Sequence, residues 1–338
     1  MMAEHRIAVL GAGAWGLTLA DLLAGKGCHV VVWDIDTARL EFLRRDRVPG
    51  KPPGLRVPDS VGFEPDFSAA ADCADIIVSV VPSFAVRSVF GRLRDTRRGL
   101  GARLFVSCSK GIEEGSLLLP SQIFEEFFGG SVMSCYAALS GPSHAEEVCR
   151  GIPTVVVSAS PEIRTAERAR DLFMSPAFRV YTQNDVKGVE LGAALKNVIA
   201  IAAGICDGLG FGDNTKAALI TRGLAEIARA AVAMGAEAQT LSGLAGLGDL
   251  VVTAMSRHSR NRLFGELLAQ GRGVEQALSE VGAVVEGFRT SRSAHDLAKL
   301  MCIDMPLCDA VYAVAHKGLD VAAARDMLLA RDPKPEIY

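Results

Sequence analysis

The strongest constraint on this chain is the run Gly11-Ala12-Gly13-Ala14-Trp15-Gly16. A short apolar run at residues 7–10 precedes it, a helix-patterned stretch at residues 15–24 follows, and a second apolar run at 30–33 closes a β-α-β unit. In such a unit the three glycines have separate tasks. Gly11 permits a tight turn, Gly13 lets a pyrophosphate approach the backbone, and Gly16 lets the helix pack closely on the strand. The helix start then presents unpaired N–H groups and the positive end of its dipole to phosphate. A glycine-rich turn that holds nothing would match the same letters. The strand before it and the helix after it favour a dinucleotide loop, with Gly11, Gly13 and Gly16 as cofactor-binding positions.

Asp34 ends the second apolar run, where an acid can accept hydrogen bonds from the adenine ribose. The alternative is that Asp34 only caps the next helix. Asp36 follows, and the next arginine is Arg39. A 2′-phosphate would meet carboxylates there, so NADH is expected to be favoured over NADPH.

The rest of the first half continues the alternation. A charged helix is predicted at 37–45, a Pro- and Gly-rich loop at 48–58, and buried strands at 76–81 and 104–108. Residues 136–139 and 154–158 add candidate strands. Continuous apolar runs separated by helices indicate a mostly parallel sheet covered on both faces. Near residue 186 the character changes to Ala- and Leu-rich helical stretches at 189–203, 215–234, 260–269 and 291–299, with glycine loops at 208–212 and 243–248. The expected fold class is an α/β Rossmann-type N-terminal domain at 1–187, followed by an all-α substrate-binding and catalytic domain at 188–338.

Bulk properties narrow the partners. The net charge is −3, and the basic stretches at 44–45 and 92–98 are short and mixed with acids, so nucleic acid is not an expected partner. The eight cysteines form no C-x-x-C pair and no metal-like cluster with histidine, so no metal is expected. Most lie in apolar runs as reduced thiols, which suits a reducing, cytoplasmic setting. The N-terminus does not read as a signal peptide, and no membrane span is expected.

A second set of motifs is more specific. In order they are Ser109-Lys110-Gly111-Ile112-Glu113, Ser140-Gly141-Pro142-Ser143-His144-Ala145, Leu195-Lys196-Asn197-Val198, Ala245-Gly246-Leu247-Gly248-Asp249-Leu250, Ser259-Arg260-Asn261-Arg262 and Val285-Glu286-Gly287. Their order and spacing resemble the bacterial NAD(P)-dependent glycerol-3-phosphate dehydrogenase family over nearly the whole chain. The resemblance implies reduction of dihydroxyacetone phosphate to sn-glycerol 3-phosphate in the cytoplasm, supplying phospholipid synthesis. It implies that Lys196 is the catalytic proton donor and acceptor, and that Lys110 contacts both cofactor and substrate. Gly141, Ser143, Asp249, Ser259, Arg260 and Asn261 resemble the substrate contacts. Ala14, Trp15, Ala145, Arg260, Val284 and Glu286 resemble cofactor contacts. Two positions depart from the pattern: Ser143 stands where many relatives carry threonine, and residues 34–36 replace a stretch with Arg or His found in NADP-using relatives.

The chemistry explains the residue types. Ketone reduction builds negative charge on the carbonyl oxygen, and a cation able to release a proton stabilises and then quenches it. A lysine serves if burial or a nearby cation lowers its pKa. Lys196 lies in an apolar, small-residue helix, with Lys110 as a source of like charge and Asp249 as a group to orient the ammonium. By composition alone, Lys196 also reads as a helix lysine reaching to solvent. Arg260 offers a planar fork for a phosphomonoester, and Ser259 is a good N-cap that would aim the next helix start at it. An exposed basic helix start is the alternative. Other readings are a 3-hydroxyacid or 6-phosphogluconate type dehydrogenase, or a nicotinamide-sensing protein without turnover. The Ala- and Gly-rich helices suit tight packing within or between subunits, and a homodimer is expected.

Overall fold

The computed structural model describes residues 5–100, 103–333 and 335–336. The first half runs β1 (Arg6–Leu10), α1 (Ala14–Gly25), β2 (His29–Trp33), α2 (Thr37–Asp46), β3 (Gly62–Phe63), α3 (Phe67–Asp72), β4 (Ile76–Ser79), α4 (Val86–Arg94) and β5 (Leu104–Ser107). It continues through α5 (Pro120–Phe128), β6 (Tyr136–Ser140), α6 (Ala145–Val148), β7 (Thr154–Ala159), α7 (Ile163–Phe173) and β8 (Phe178–Gln183). These strands form one eight-stranded sheet in the order β3-β2-β1-β4-β5-β6-β7-β8. Every pairing is parallel except that of β6 with β7. The chain turns from one side of the sheet to the other between β1 and β4. That switch point opens a crevice at the carboxyl ends of the strands, the usual ligand position in an open α/β sheet.

The central strands are buried on both faces and therefore lack alternation. Two strands fall outside the sequence reading. β3 is only two residues long, and β8 is an edge strand in which Phe178 and Val180 are buried while Arg179 and Tyr181 are exposed.

The second half is helical: α8 (Val186–Gly208), α9 (Asp213–Ala233), α10 (Ala238–Leu241), α11 (Asp249–Met255), α12 (Arg260–Ala269), α13 (Val274–Val281), α14 (Glu286–Met301), α15 (Pro306–Lys317) and α16 (Val321–Leu329). α8 starts where Asp185 accepts the Gly188 N–H at 2.9 Å, and it is the hub on which α9, α11, α12, α14 and α15 pack. Its contact with α12 is backbone on backbone. A Cβ at Gly204 would lie 1.8 Å from the Arg262 carbonyl oxygen, and one at Gly265 would lie 2.0 Å from that of Ile201. Only glycine permits this approach. Among the described residues α8 is the one helix long and apolar enough to cross a membrane, but 94% of its apolar window is buried by protein. It is a core helix, which explains an apolar run that carries Glu190 and Lys196.

Three sequence readings change. The expected glycine loop at 243–248 is mostly a π-helical turn, Leu244–Gly248, that leads directly into α11. The helix read at 291–299 begins at Glu286, because polar and small residues in its first turns masked the period. The helix read at 189–203 extends at both ends. The cysteines are all free.

Candidate active site

The glycine loop has a steric basis. Gly11 has φ +117°, and a Cβ there would lie 2.8 Å from the Val80 carbonyl oxygen. A Cβ at Gly16 would lie 2.0 Å from the Gly11 carbonyl oxygen. Gly13 differs: it is exposed, and a Cβ there would meet nothing. It is also the N-cap of α1 and has no side-chain cap, so the first-turn N–H groups at Ala14 and Trp15 are left for a ligand. Open space above an uncapped helix start fits the pyrophosphate of a dinucleotide.

Asp34 stands beside this loop. Its Oδ2 accepts the Ala12 N–H at 2.6 Å, and its Oδ1 accepts the Asp36 N–H at 3.0 Å. Asp36 rather than Asp34 caps α2, accepting the Arg39 N–H at 2.9 Å. The next arginine in the sequence, Arg39, lies against the same loop. Arg39 Nε donates to the Ala12 carbonyl at 2.9 Å, because the first turn of α2 swings back over the loop.

The second half of the site centres on Asp249, the first residue of α11. Lys196 Nζ donates to Asp249 Oδ1 at 2.7 Å, and Lys110 Nζ donates to Asp249 Oδ2 at 2.7 Å. One carboxylate thus bridges two ammonium groups. Lys196 also donates to Thr253 Oγ1 at 2.7 Å, and Thr253 in turn donates to the Asp249 carbonyl at 2.6 Å. Lys196, Asp249 and Thr253 are buried, and Lys110 is half-buried. Burial lowers the Lys196 pKa to about 8, with Lys110 and Arg260 acting in the same direction against the pull of Asp249. Asp249 is held below its ordinary value although burial alone would raise it, because both lysines favour its anion. Lys110 reaches the Gly141 carbonyl at 3.4 Å, and Ser143 Oγ donates to the same carbonyl at 3.0 Å. Five of the sequence-read positions therefore form one cluster: Lys110, Gly141, Ser143, Lys196 and Asp249.

The start of α12 carries the next group. Ser259 is its N-cap, as read from the sequence, and its Oγ accepts the Arg262 N–H at 3.2 Å. Arg260 is exposed, and its charge reaches both Lys196 and Glu286. The Asn261 side chain is already engaged. Its Nδ2 donates to Asn197 Oδ1 at 2.9 Å, and its Oδ1 accepts the Gly287 N–H at 2.9 Å. It ties α8, α12 and α14 together and keeps one Nδ2 hydrogen free.

Glu286 opens α14 and accepts from Ser83, at 3.1 Å from its N–H and 2.5 Å from its Oγ. Burial raises its pKa. Since Ser83 follows β4, this bond joins the helical half to the dinucleotide crevice. Ala145 is the first residue of α6, and Val284 lies two residues before α14.

Sequence reasoning missed Thr253 and Ser83. Thr253 stands four residues after Asp249, one turn along the same helix face, and that spacing was the available signal. Ser83 and Arg39 are joined to the site only by contacts distant in sequence.

A glycine loop suited to a dinucleotide, together with a buried lysine-carboxylate-lysine centre, defines the class as an NAD(P)-dependent oxidoreductase. The family comparison is more specific. The N-terminal part of NAD-dependent glycerol-3-phosphate dehydrogenase matches residues 6–166, and its C-terminal part matches residues 185–326. A glycerol-3-phosphate dehydrogenase [NAD(P)+] from Pelotomaculum thermopropionicum is 47% identical over 337 residues, covering 98% of this chain and 95% of that protein. The protein of the same name from Geobacillus kaustophilus is 48% identical, covering 98% and 96%. The crystal structure of glycerol-3-phosphate dehydrogenase from Coxiella burnetii superposes with a TM-score of 0.91 at 36% identity, over 97% of this chain and 99% of that one. The chain belongs to the NAD-dependent glycerol-3-phosphate dehydrogenase family. That membership sets aside the hydroxyacid, phosphogluconate and sensor readings.

Proposed function

We propose that the chain interconverts dihydroxyacetone phosphate and sn-glycerol 3-phosphate, with Lys196 as the proton-transferring group. The observation that carries this reading is Asp249 held between Lys110 and Lys196, with the Lys196 pKa drawn down to about 8. A bound reduced nicotinamide supplies the hydride; the residues of the chain do the rest. Lys196 has three N–H bonds, of which Asp249 and Thr253 take two. The third is available to the substrate carbonyl oxygen. As negative charge grows there, the ammonium stabilises it and then gives up the proton. In the reverse direction the neutral amine takes the proton from the hydroxyl. Lys110, on the other oxygen of Asp249, adds positive potential beside the same oxygen, and Gly141 and Ser143 line the substrate next to it.

The phosphate is assigned to the start of α12. Arg260 supplies a guanidinium and Ser259 and Asn261 neutral donors, at a helix N-terminus that favours an anion. Gly11, Gly13, Ala14, Trp15 and Gly16 hold the cofactor pyrophosphate in the crevice, with Lys110, Ala145, Arg260, Val284 and Glu286 toward its other end. Asp34 faces the adenine ribose and favours NADH over NADPH. Arg39 narrows that margin, since its cation lies against the same loop. A division at 187/188 into a cofactor-binding and a substrate-binding unit, a homodimer, a cytoplasmic setting and a role in phospholipid supply belong to the same proposal. The test is NADH oxidation by the purified chain with and without dihydroxyacetone phosphate. Oxidation that does not depend on the phosphorylated ketone rejects the reading.

A further inference from the structure

Arg262 follows Ser259, Arg260 and Asn261, yet its side chain is only 13% exposed. Its donors go to three helices. Nε donates to the carbonyl of Ser256, the C-cap of α11, at 3.1 Å. Nη1 donates to Asp207 near the end of α8 at 2.5 Å. Nη2 lies 3.1 Å from Glu266 on α12 itself. Asp207 is held from its other side by Lys216 of α9. The backbone N–H of Arg262 meanwhile completes the Ser259 cap. One guanidinium therefore joins the helix that carries Lys196, the helix that carries Asp249 and Thr253, and the helix that opens with Arg260.

We propose that Arg262 is a positioning residue that fixes the distance between the proton-transfer centre and the phosphate-binding start of α12. It thereby sets the length of phosphorylated ketone that can span the two. This inference rests on the reading of Ser259 and Arg260 as phosphate contacts. The physical basis is geometric. The loop at residues 256–259 separates α11 from α12, and the Arg262 fork holds its start while the Ser259 cap holds its end. Backbone contact with α8 at Gly204 blocks movement toward that helix, and the ion pair with Asp207 opposes movement away from it. Lysine cannot replace the fork. Its ammonium is a point charge on a flexible stem and cannot hold three acceptors in one plane.

The test is Arg262→Lys, which keeps the charge facing Asp207 and Glu266. kcat and KM are measured with dihydroxyacetone phosphate and with unphosphorylated dihydroxyacetone, alongside Tm. kcat/KM for the phosphorylated ketone should fall at least about tenfold, mainly through KM, since misplacement by about 1 Å can cost up to about a hundredfold. The value for dihydroxyacetone should change less than about twofold. Asp207→Asn weakens one arm of the same clamp and should shift selectivity in the same direction by about threefold, which keeps the proposal testable if Arg262→Lys folds poorly. In an Arg260→Ala background, Arg262→Lys should add no further loss of selectivity, because the two act through one subsite. Equal losses for both ketones with a lowered Tm would mark Arg262 as merely structural and overturn the proposal. So would additive losses in the double variant. If Arg260→Ala alone leaves the preference for the phosphorylated ketone intact, the phosphate assignment itself fails, and that single variant separates the two failures.

Discussion

Replacing Thr253 by valine removes a hydroxyl of nearly the same shape that accepts from Lys196 Nζ at 2.7 Å. That bond favours the ammonium form. A hydrogen bond to a charged group contributes about 1.5–3 kcal/mol, and one pKa unit corresponds to about 1.4 kcal/mol. Loss of the acceptor should therefore lower the Lys196 pKa by about one to two units from its value of about 8. The two reaction directions respond oppositely. Oxidation of sn-glycerol 3-phosphate needs the neutral amine, so its kcat/KM should rise with pH through about 8 in the wild type. Reduction needs the ammonium and should fall over the same range. In Thr253→Val both inflections should move to lower pH, and reduction at pH 7.5 should suffer more than oxidation. The assay is kcat/KM against pH in each direction at one ionic strength. An inflection that stays in place or moves up would refute the argument that this hydroxyl holds the Lys196 cation.

Three further outcomes are expected. Arg260→Ala should lower kcat/KM with dihydroxyacetone phosphate at least about tenfold, through lost charge-assisted hydrogen bonds; a variant that still strongly prefers the phosphorylated ketone would place the phosphate elsewhere. Wild-type kcat/KM should favour NADH over NADPH, and Arg39→Ala should widen the ratio by about threefold or more, since even ~0.7 kcal/mol is that large; an unchanged or reversed ratio would show that Arg39 does not act at the 2′ position. Glu226 is buried and accepts the N–H groups of Leu307 and Cys308 at 2.8 and 3.1 Å, and burial raises its pKa from 4.5 to about 7. The folded chain therefore holds a proton that the unfolded chain releases above about pH 4.5, so this contribution is full below that pH and is lost as pH rises through about 7. Glu226→Gln cannot titrate, so the wild-type advantage in Tm over this variant should shrink between pH 5 and 8; a constant difference would contradict the assignment.

The parts legible in the sequence are those where one local arrangement leaves few alternatives. Gly11 and Gly16 occupy positions where any side chain meets backbone, and the strand and helix around them follow from periodicity. Ser259 is a local signal as well, since a cap depends only on the next three residues. Lys196 was different. An apolar helix with one lysine reads first as a side chain reaching to water, and only the ordered motifs pointed to a buried one. Asp249 lies 53 residues from Lys196, and no local pattern could bring them together. Glu286 and Ser83 are 203 residues apart, and Arg39 reaches the glycine loop only because α2 folds back over it. The π-helical turn before Asp249 looked like a loop because its glycines suppress the helical period. Tertiary packing between elements distant in sequence decided these points.

The most direct test of the central claim is Lys196→Ala, assayed by oxidation of NADH with dihydroxyacetone phosphate. Removing a general acid-base group typically costs about 10²- to 10⁴-fold in rate, so kcat should fall within that range while cofactor affinity changes little. The residual activity should also lose the inflection near pH 8. A Lys196→Ala enzyme with near-normal kcat and the wild-type pH profile would contradict the account.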